Sequence, residues 1–249
     1  MLSPMQLFFK EKTYFQKLHT DTQKLLLSIG LYYLIAPIFS IFVNAFLWRQ
    51  TQDILLVAFY NAIMFSFITA GFYLNGLLLR RYSVAVPYTL SLVISCVTLA
   101  VLLFLPHITY PIILLYGIID GVTTGVYWAN RNLLTLKTTA SDNRIYFSSI
   151  ETTISTLSKV FIPFIIGWFI TLGSMLNWYT PVQGYQMLVV YLLVVIFFLG
   201  KISRTMESKK QPVEKLLVTS VSKKWQHFRL LQFVLGINNA TLTFIPVLL

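Results

Sequence analysis

A single cysteine, Cys96, excludes an internal disulfide and a cysteine metal cluster. Charge is scarce as well: 11% of the 249 residues are Asp, Glu, Lys or Arg, against roughly 25% in soluble domains. With 57% hydrophobic residues and a mean hydropathy of +0.73, the chain is no ordinary soluble domain but an integral membrane protein. Its three histidines, His19, His107 and His227, fall outside the apolar runs. Metal ligation and acid–base catalysis within the membrane therefore lack their usual residue. The sequence contains no P-loop glycine pattern, no low-complexity tract, and no compact apolar N-terminal core followed by a cleavage site. No cofactor is expected.

What is present is long apolar runs. A hydrocarbon core of roughly 30 Å needs about 20 apolar residues per helix, and six runs qualify: 25–48, 54–79, 84–105, 110–134, 147–172 and 185–203. A seventh begins near Leu230 and reaches Leu249, inside an apolar stretch without a polar flank, "TFIPVLL". The expected organisation is a cytoplasmic N-terminal segment (1–24), a six-helix bundle (25–203), a basic cytoplasmic loop (204–229) and the start of a seventh helix (230–249). The fold class is thus all-α, and the chain reads as a fragment of a longer one.

Lys and Arg are retained on the cytoplasmic side. With a cytoplasmic N-terminus, that side collects sixteen of the nineteen, from Lys10 through Arg80, Arg81 and Arg144 to the eight between Lys201 and Arg229, while the other side holds only Arg49. The expected location is a bacterial inner or plasma membrane. The net charge of +11 follows from these loops and their attraction to anionic headgroups, with no nucleic acid required.

The fourth run holds the most informative stretch, "YGIIDGVTTGVYWANRNLLTLK". Gly117, Gly121 and Gly125 recur every four residues and form a smooth stripe for close helix packing. Charges within spans are rare and face a bundle interior or an aqueous cavity. Asp120 and Arg131 lie on one face but about 16 Å apart along the axis, too far to pair. Depth counting across the membrane matches Arg131 with Glu151 and Asp120 with Lys159 in the fifth run. The first match reads as a structural or gating pair, and the second as a site for substrate or a coupling ion. Asn44, Asn61, Asn238 and Asn239 suit interhelical hydrogen bonds of about 0.6–2 kcal/mol each. Trp48, Trp128, Trp178 and Tyr179 fall near expected helix ends and read as interfacial residues. Pro37 and Pro163 sit mid-span, where they can bend helices one and five.

Six helices, a long basic loop and a seventh helix resemble the amino-terminal half of a major facilitator superfamily transporter and the start of its second half. The family's Gly-x-x-x-Asp-basic-x-Gly-basic-basic element between helices two and three is echoed by "GFYLNGLLLRR". That segment keeps Gly71 and a displaced basic pair, Arg80 and Arg81, and has Asn75 where the acid stands. Of the patterns found in proton-coupled exporters, helix four keeps Gly121 and helix five keeps Pro163 and Gly167, so drug/proton antiport is not indicated. In the family, helices one, four and seven line the central cavity. The resemblance thus points Asn44, Asp120 and Asn238 or Asn239 at the substrate path.

The function this implies is a secondary transporter, a permease moving a small molecule by alternating access in the lipid bilayer, with a proton or sodium ion as coupling ion. The alternatives are a membrane enzyme, disfavoured because Asp120 and Glu151 are the only acids inside the expected spans and lie at different depths, and a structural or scaffolding membrane protein. A retinal protein would need a lysine on the last helix, and none occurs between Leu230 and Leu249.

Overall fold

The computed structural model describes residues 14–16, 18–105 and 107–206, and every regular element among them is a helix. Six are long and apolar enough to cross a bilayer: α1 (Thr20–Thr51), α2 (Ile54–Leu78), α3 (Ala85–Phe104), α4 (Tyr110–Thr138), α5 (Arg144–Met175) and α6 (Pro181–Arg204). They coincide with the six expected spans, and α1, α4, α5 and α6 extend beyond their apolar runs by several residues. In a bilayer every backbone polar group must be satisfied within the protein, which leaves the helix as the economical form for such sequences. The expected seventh helix, with Asn238 and Asn239, most of the N-terminal segment, and the basic loop beyond Met206 lie outside the described residues.

Local chemistry sets the helix ends. Between α1 and α2 the chain turns through Gln52, in the left-handed region at φ 52°, and Asp53. The Asp53 carboxylate caps α2 by accepting from the backbone N–H groups of Leu55 (2.9 Å) and Leu56 (3.2 Å). It also accepts from the Tyr110 hydroxyl at 2.8 Å, tying the start of α4 to that turn. These bonds, that of Tyr110 foremost, hold the Asp53 carboxyl below the usual carboxylate range. Thr180 and Gln183 form a capping box at the start of α6, with Pro181 in its first turn.

α1 is not uniform. Directly after Pro37, residues Ile38–Phe42 form a π-helical turn in which the N–H of Val43 bonds to the carbonyl of Ile38. The Ser40 hydroxyl bonds the Ala36 carbonyl at 3.1 Å and the Asn44 amide bonds the Ser40 carbonyl at 2.9 Å, so side chains take over carbonyls around the irregular turn. α5, by contrast, runs as one helix through Pro163.

In the bundle α4 packs on α2 and α3, α3 on α6, and α1 on both α5 and α6. One apolar cluster, around Phe46, Tyr60, Leu102 and Ile113, fills the end that carries Arg49, whose guanidinium lies over the Tyr185 ring of that cluster. A second, around Leu25, Ile29, Tyr88 and Phe147, fills the end that carries Arg80, Arg81, Arg144, Lys201 and Arg204, the basic end. Large apolar side chains such as Val101, Phe164, Val190 and Phe197 point outward, as lipid contact requires.

Candidate functional site

A cavity of about 330 Å³ opens between α1, α2, α4 and α5, and neither α3 nor α6 contributes to its lining. Two of its walls, α2 and α4, approach each other closely. A Cβ added at Gly121 would collide with the Met64 carbonyl oxygen, and one at Gly125 with that of Ile68, 2.9 Å from the Gly71 Cα. At Gly117 the nearest atoms would be Ile63 Cγ2 at 3.1 Å and the Tyr60 carbonyl at 3.3 Å. The glycine stripe is therefore a packing face against α2.

That approach carries Tyr60 of α2 to Asp120 of α4. The Tyr60 hydroxyl donates to Asp120 Oδ2 at 2.7 Å, and its ring stacks on Tyr116 with centroids 5.4 Å apart. Asp120 is 4% exposed, and the cavity is its outlet. From Asp120 the spacing of four places Thr124 and then Trp128 on the same face of α4, both lining the cavity.

Lys159 lines the same cavity from α5 but does not pair with Asp120: among the described residues no carboxylate lies within ion-pair distance of it, and its side chain is exposed. Depth counting brought the two charges to one cavity but could not fix helix rotation, and rotation decides that Tyr60 takes the Asp120 bond.

Asn44 and Asn61, both buried, form the next layer. Asn61 Nδ2 donates to Asn44 Oδ1 at 2.8 Å and to the Val57 carbonyl at 2.9 Å. Both partners are acceptors, so the orientation of the amide is set by the network. Asn61 Oδ1 is consequently left as a buried acceptor with no hydrogen-bond partner among the described residues, on a side chain that lines the cavity.

Toward the basic end, Arg131 of α4 and Glu151 of α5 form an ion pair, with side-chain exposures of 14% and 11%. Tyr33 of α1 donates to Glu151 Oε1 at 3.1 Å. The Arg131 guanidinium also bonds Asn132 Oδ1 at 2.7 Å and lies over the Trp128 ring, 5.3 Å from its centroid. Tyr32 meets Trp128 edge-on at 6.2 Å and stacks on Tyr127 at 4.0 Å. One contiguous group thus links α1, α4 and α5.

Trp128 departs from the sequence expectation. With α4 continuing to Thr138 instead of ending near 134, Trp128 lies almost three turns from the helix end, inside the bundle and on the cavity wall. Sequence reasoning also passed over Tyr32, Tyr33 and Tyr60. Mid-span tyrosines were the available signal, because a buried phenol needs a hydrogen-bond partner and so marks a polar interior.

Gly71 and Asn75 belong to α2 itself, and only Arg80 and Arg81 occupy the turn that follows, both exposed. Asn75 Oδ1 accepts from Asn130 Nδ2 at 2.7 Å, a neutral link between α2 and α4 where the family element carries an acid.

The sequence profile of the Major Facilitator Superfamily matches residues 25–249. Over 164 residues the chain is 26% identical to the "Uncharacterized protein in sodM 3'region" of Geobacillus stearothermophilus, covering 66% of this chain and 77% of that one. Over 172 residues it is 26% identical to the "Uncharacterized protein YqgE" of Bacillus subtilis (strain 168), covering 69% of this chain but only 40% of that relative.

Proposed function

Because the chain belongs to the major facilitator superfamily, a family of membrane transporters, we propose that it serves a small-molecule secondary transporter and that the α1–α2–α4–α5 cavity is its share of the substrate path. The observation that carries this reading is Asp120: a buried carboxylate facing the cavity, whose one hydrogen bond among the described residues comes from a neutral hydroxyl. An intramembrane acid without a cationic partner is costly and marks an ion or substrate pathway. Asn44, the free acceptor of Asn61, and Lys159 add polar groups on the same walls. In this reading Asp120 takes up the substrate or the coupling ion, and the Arg131–Glu151 pair closes the basic end in one of the alternating states.

The test uses the whole protein in proteoliposomes, screened for transport currents against a small-molecule panel across a pH series. Asp120→Asn keeps shape and removes charge, so it should cut any current to below about a hundredth of wild type while insertion and thermal stability hold. Normal currents with unchanged pH dependence would leave Asp120 a structural residue and remove the basis of the proposal.

The charge distribution supports an orientation with the basic end in the cytoplasm. With Cys96 replaced by alanine, single cysteines at 204–224 should react with an impermeant maleimide only from the cytoplasmic side, and those at 176–182 only from outside. Labelling of 204–224 from outside would invert the assignment.

A further inference from the structure

On the opposite face from the cavity, α3 and α6 leave a groove of about 450 Å³ between them. Away from the basic end its walls are apolar, Val93 and Val97 from α3 and Leu193 and Phe197 from α6, over a buried floor of Cys96 and Ile196. Val97, Leu193 and Phe197 are more than half exposed, so in a bilayer the groove opens onto hydrocarbon. Its basic end is polar, with Thr89 on one wall and Lys201 and Arg204 on the other. Gly200, at that level, keeps the groove from being filled by a side chain; even a Cβ there would only touch Thr89 Cγ2, at 3.5 Å. A bond of 2.5 Å between the Thr89 and Ser203 hydroxyls joins the helices behind it.

From Leu193 to Arg204 is eleven residues, about 16 Å of helix rise. Half of a roughly 30 Å hydrocarbon core is about 15 Å, so the groove spans one leaflet, apolar at the midplane and cationic at the headgroup level. Neither Lys201 nor Arg204 has an ion-pair partner among the described residues, a state they share with Arg80, Arg81 and Arg144, whereas Lys24, whose ammonium donates to the Thr205 carbonyl beside Arg204, is engaged by Asp21. The Lys201 ammonium lies over the Phe197 ring, 4.5 Å from its centroid.

We propose that this groove binds an anionic phospholipid in the basic-end leaflet, with one acyl chain along the apolar walls and the phosphate held by Lys201 and Arg204. A basic pocket between membrane helices at headgroup depth is suited to such headgroups. Length, polarity gradient and two cations without an ion-pair partner among the described residues all agree with this occupant. A neutral lipid would leave the two cations unmatched, and a free anion would leave the apolar walls unfilled.

The test titrates the purified protein in detergent with palmitoyl-oleoyl phosphatidylglycerol, palmitoyl-oleoyl phosphatidylcholine or inorganic phosphate and follows thermal stability. Phosphatidylglycerol should stabilise at lower concentration than phosphatidylcholine, and phosphate alone should do little. Both cations are exposed, so Lys201→Gln/Arg204→Gln should fold normally while weakening the phosphatidylglycerol midpoint by about 30-fold, from roughly a factor of five per charge. Val97→Phe, which fills the groove without touching the charges, should weaken it too. The proposal fails if the two lipids act alike, if phosphate alone reproduces the shift, or if the preference survives Lys201→Gln/Arg204→Gln and is lost instead in Arg80→Gln/Arg81→Gln.

Discussion

Gly121→Leu should destroy the α2–α4 contact and with it most of the folded population. A Cβ at this position would already overlap the Met64 carbonyl oxygen and lie 2.9 Å from Phe67 Cβ, and a backbone atom, unlike a side-chain tip, cannot turn aside. Overpacking a well-filled interior costs about 1–3 kcal/mol, occasionally more, and here two helices must separate along several turns. We expect a loss above about 3 kcal/mol, seen as a collapse of the monodisperse peak in detergent. Gly167→Ala and Gly30→Ala are the controls: a Cβ at either meets nothing within 4 Å, so the melting temperature should stay put or rise slightly. A leucine variant melting within a degree or two of wild type would show that α2 and α4 tolerate separation.

Breaking the Arg131–Glu151 pair should be nearly as damaging. Removing one partner of a buried pair leaves an uncompensated charge at a cost of about 3–5 kcal/mol. Arg131→Gln strands Glu151 with the Tyr33 hydroxyl for company, and Glu151→Gln strands Arg131 against Trp128 and Asn132. Either change should lower yield and melting temperature sharply, and the double variant should recover more than half of the loss. Tyr33→Phe removes one hydrogen bond and should cost only about 1 kcal/mol. Strictly additive losses in the double variant would mean that the two charges are stabilised separately.

Much of this architecture was legible in the sequence, for a physical reason. The bilayer imposes a length and a polarity on each span, so the apolar runs 54–79 and 84–105 coincide with Ile54–Leu78 and Ala85–Phe104 almost to the residue. Ends were less legible where polar residues continue a helix beyond the hydrocarbon, as in Leu134 to Thr138, and that shortfall misplaced Trp128. Depth along a helix can be counted, which brought Arg131 level with Glu151. Rotation about the axis cannot be counted across a turn of unknown geometry, which is why depth alone matches Asp120 with Lys159 while its hydrogen bond comes from Tyr60 on α2. The spacing of Gly117, Gly121 and Gly125 signalled a close neighbour without saying which helix it was.

The π turn after Pro37 bears on how this chain is compared with others. Each hydrogen bond in such a turn spans five residues instead of four, so Ile38–Phe42 holds one residue more than an α-helix of the same rise would. One residue corresponds to about 100° of rotation. The bond between Asn44 and Asn61 thus depends on chain length upstream as well as on the two amides. Set beside a relative whose first helix is regular throughout, this sequence needs a one-residue gap between 37 and 43, and an ungapped alignment would assign the role of Asn44 to its neighbour.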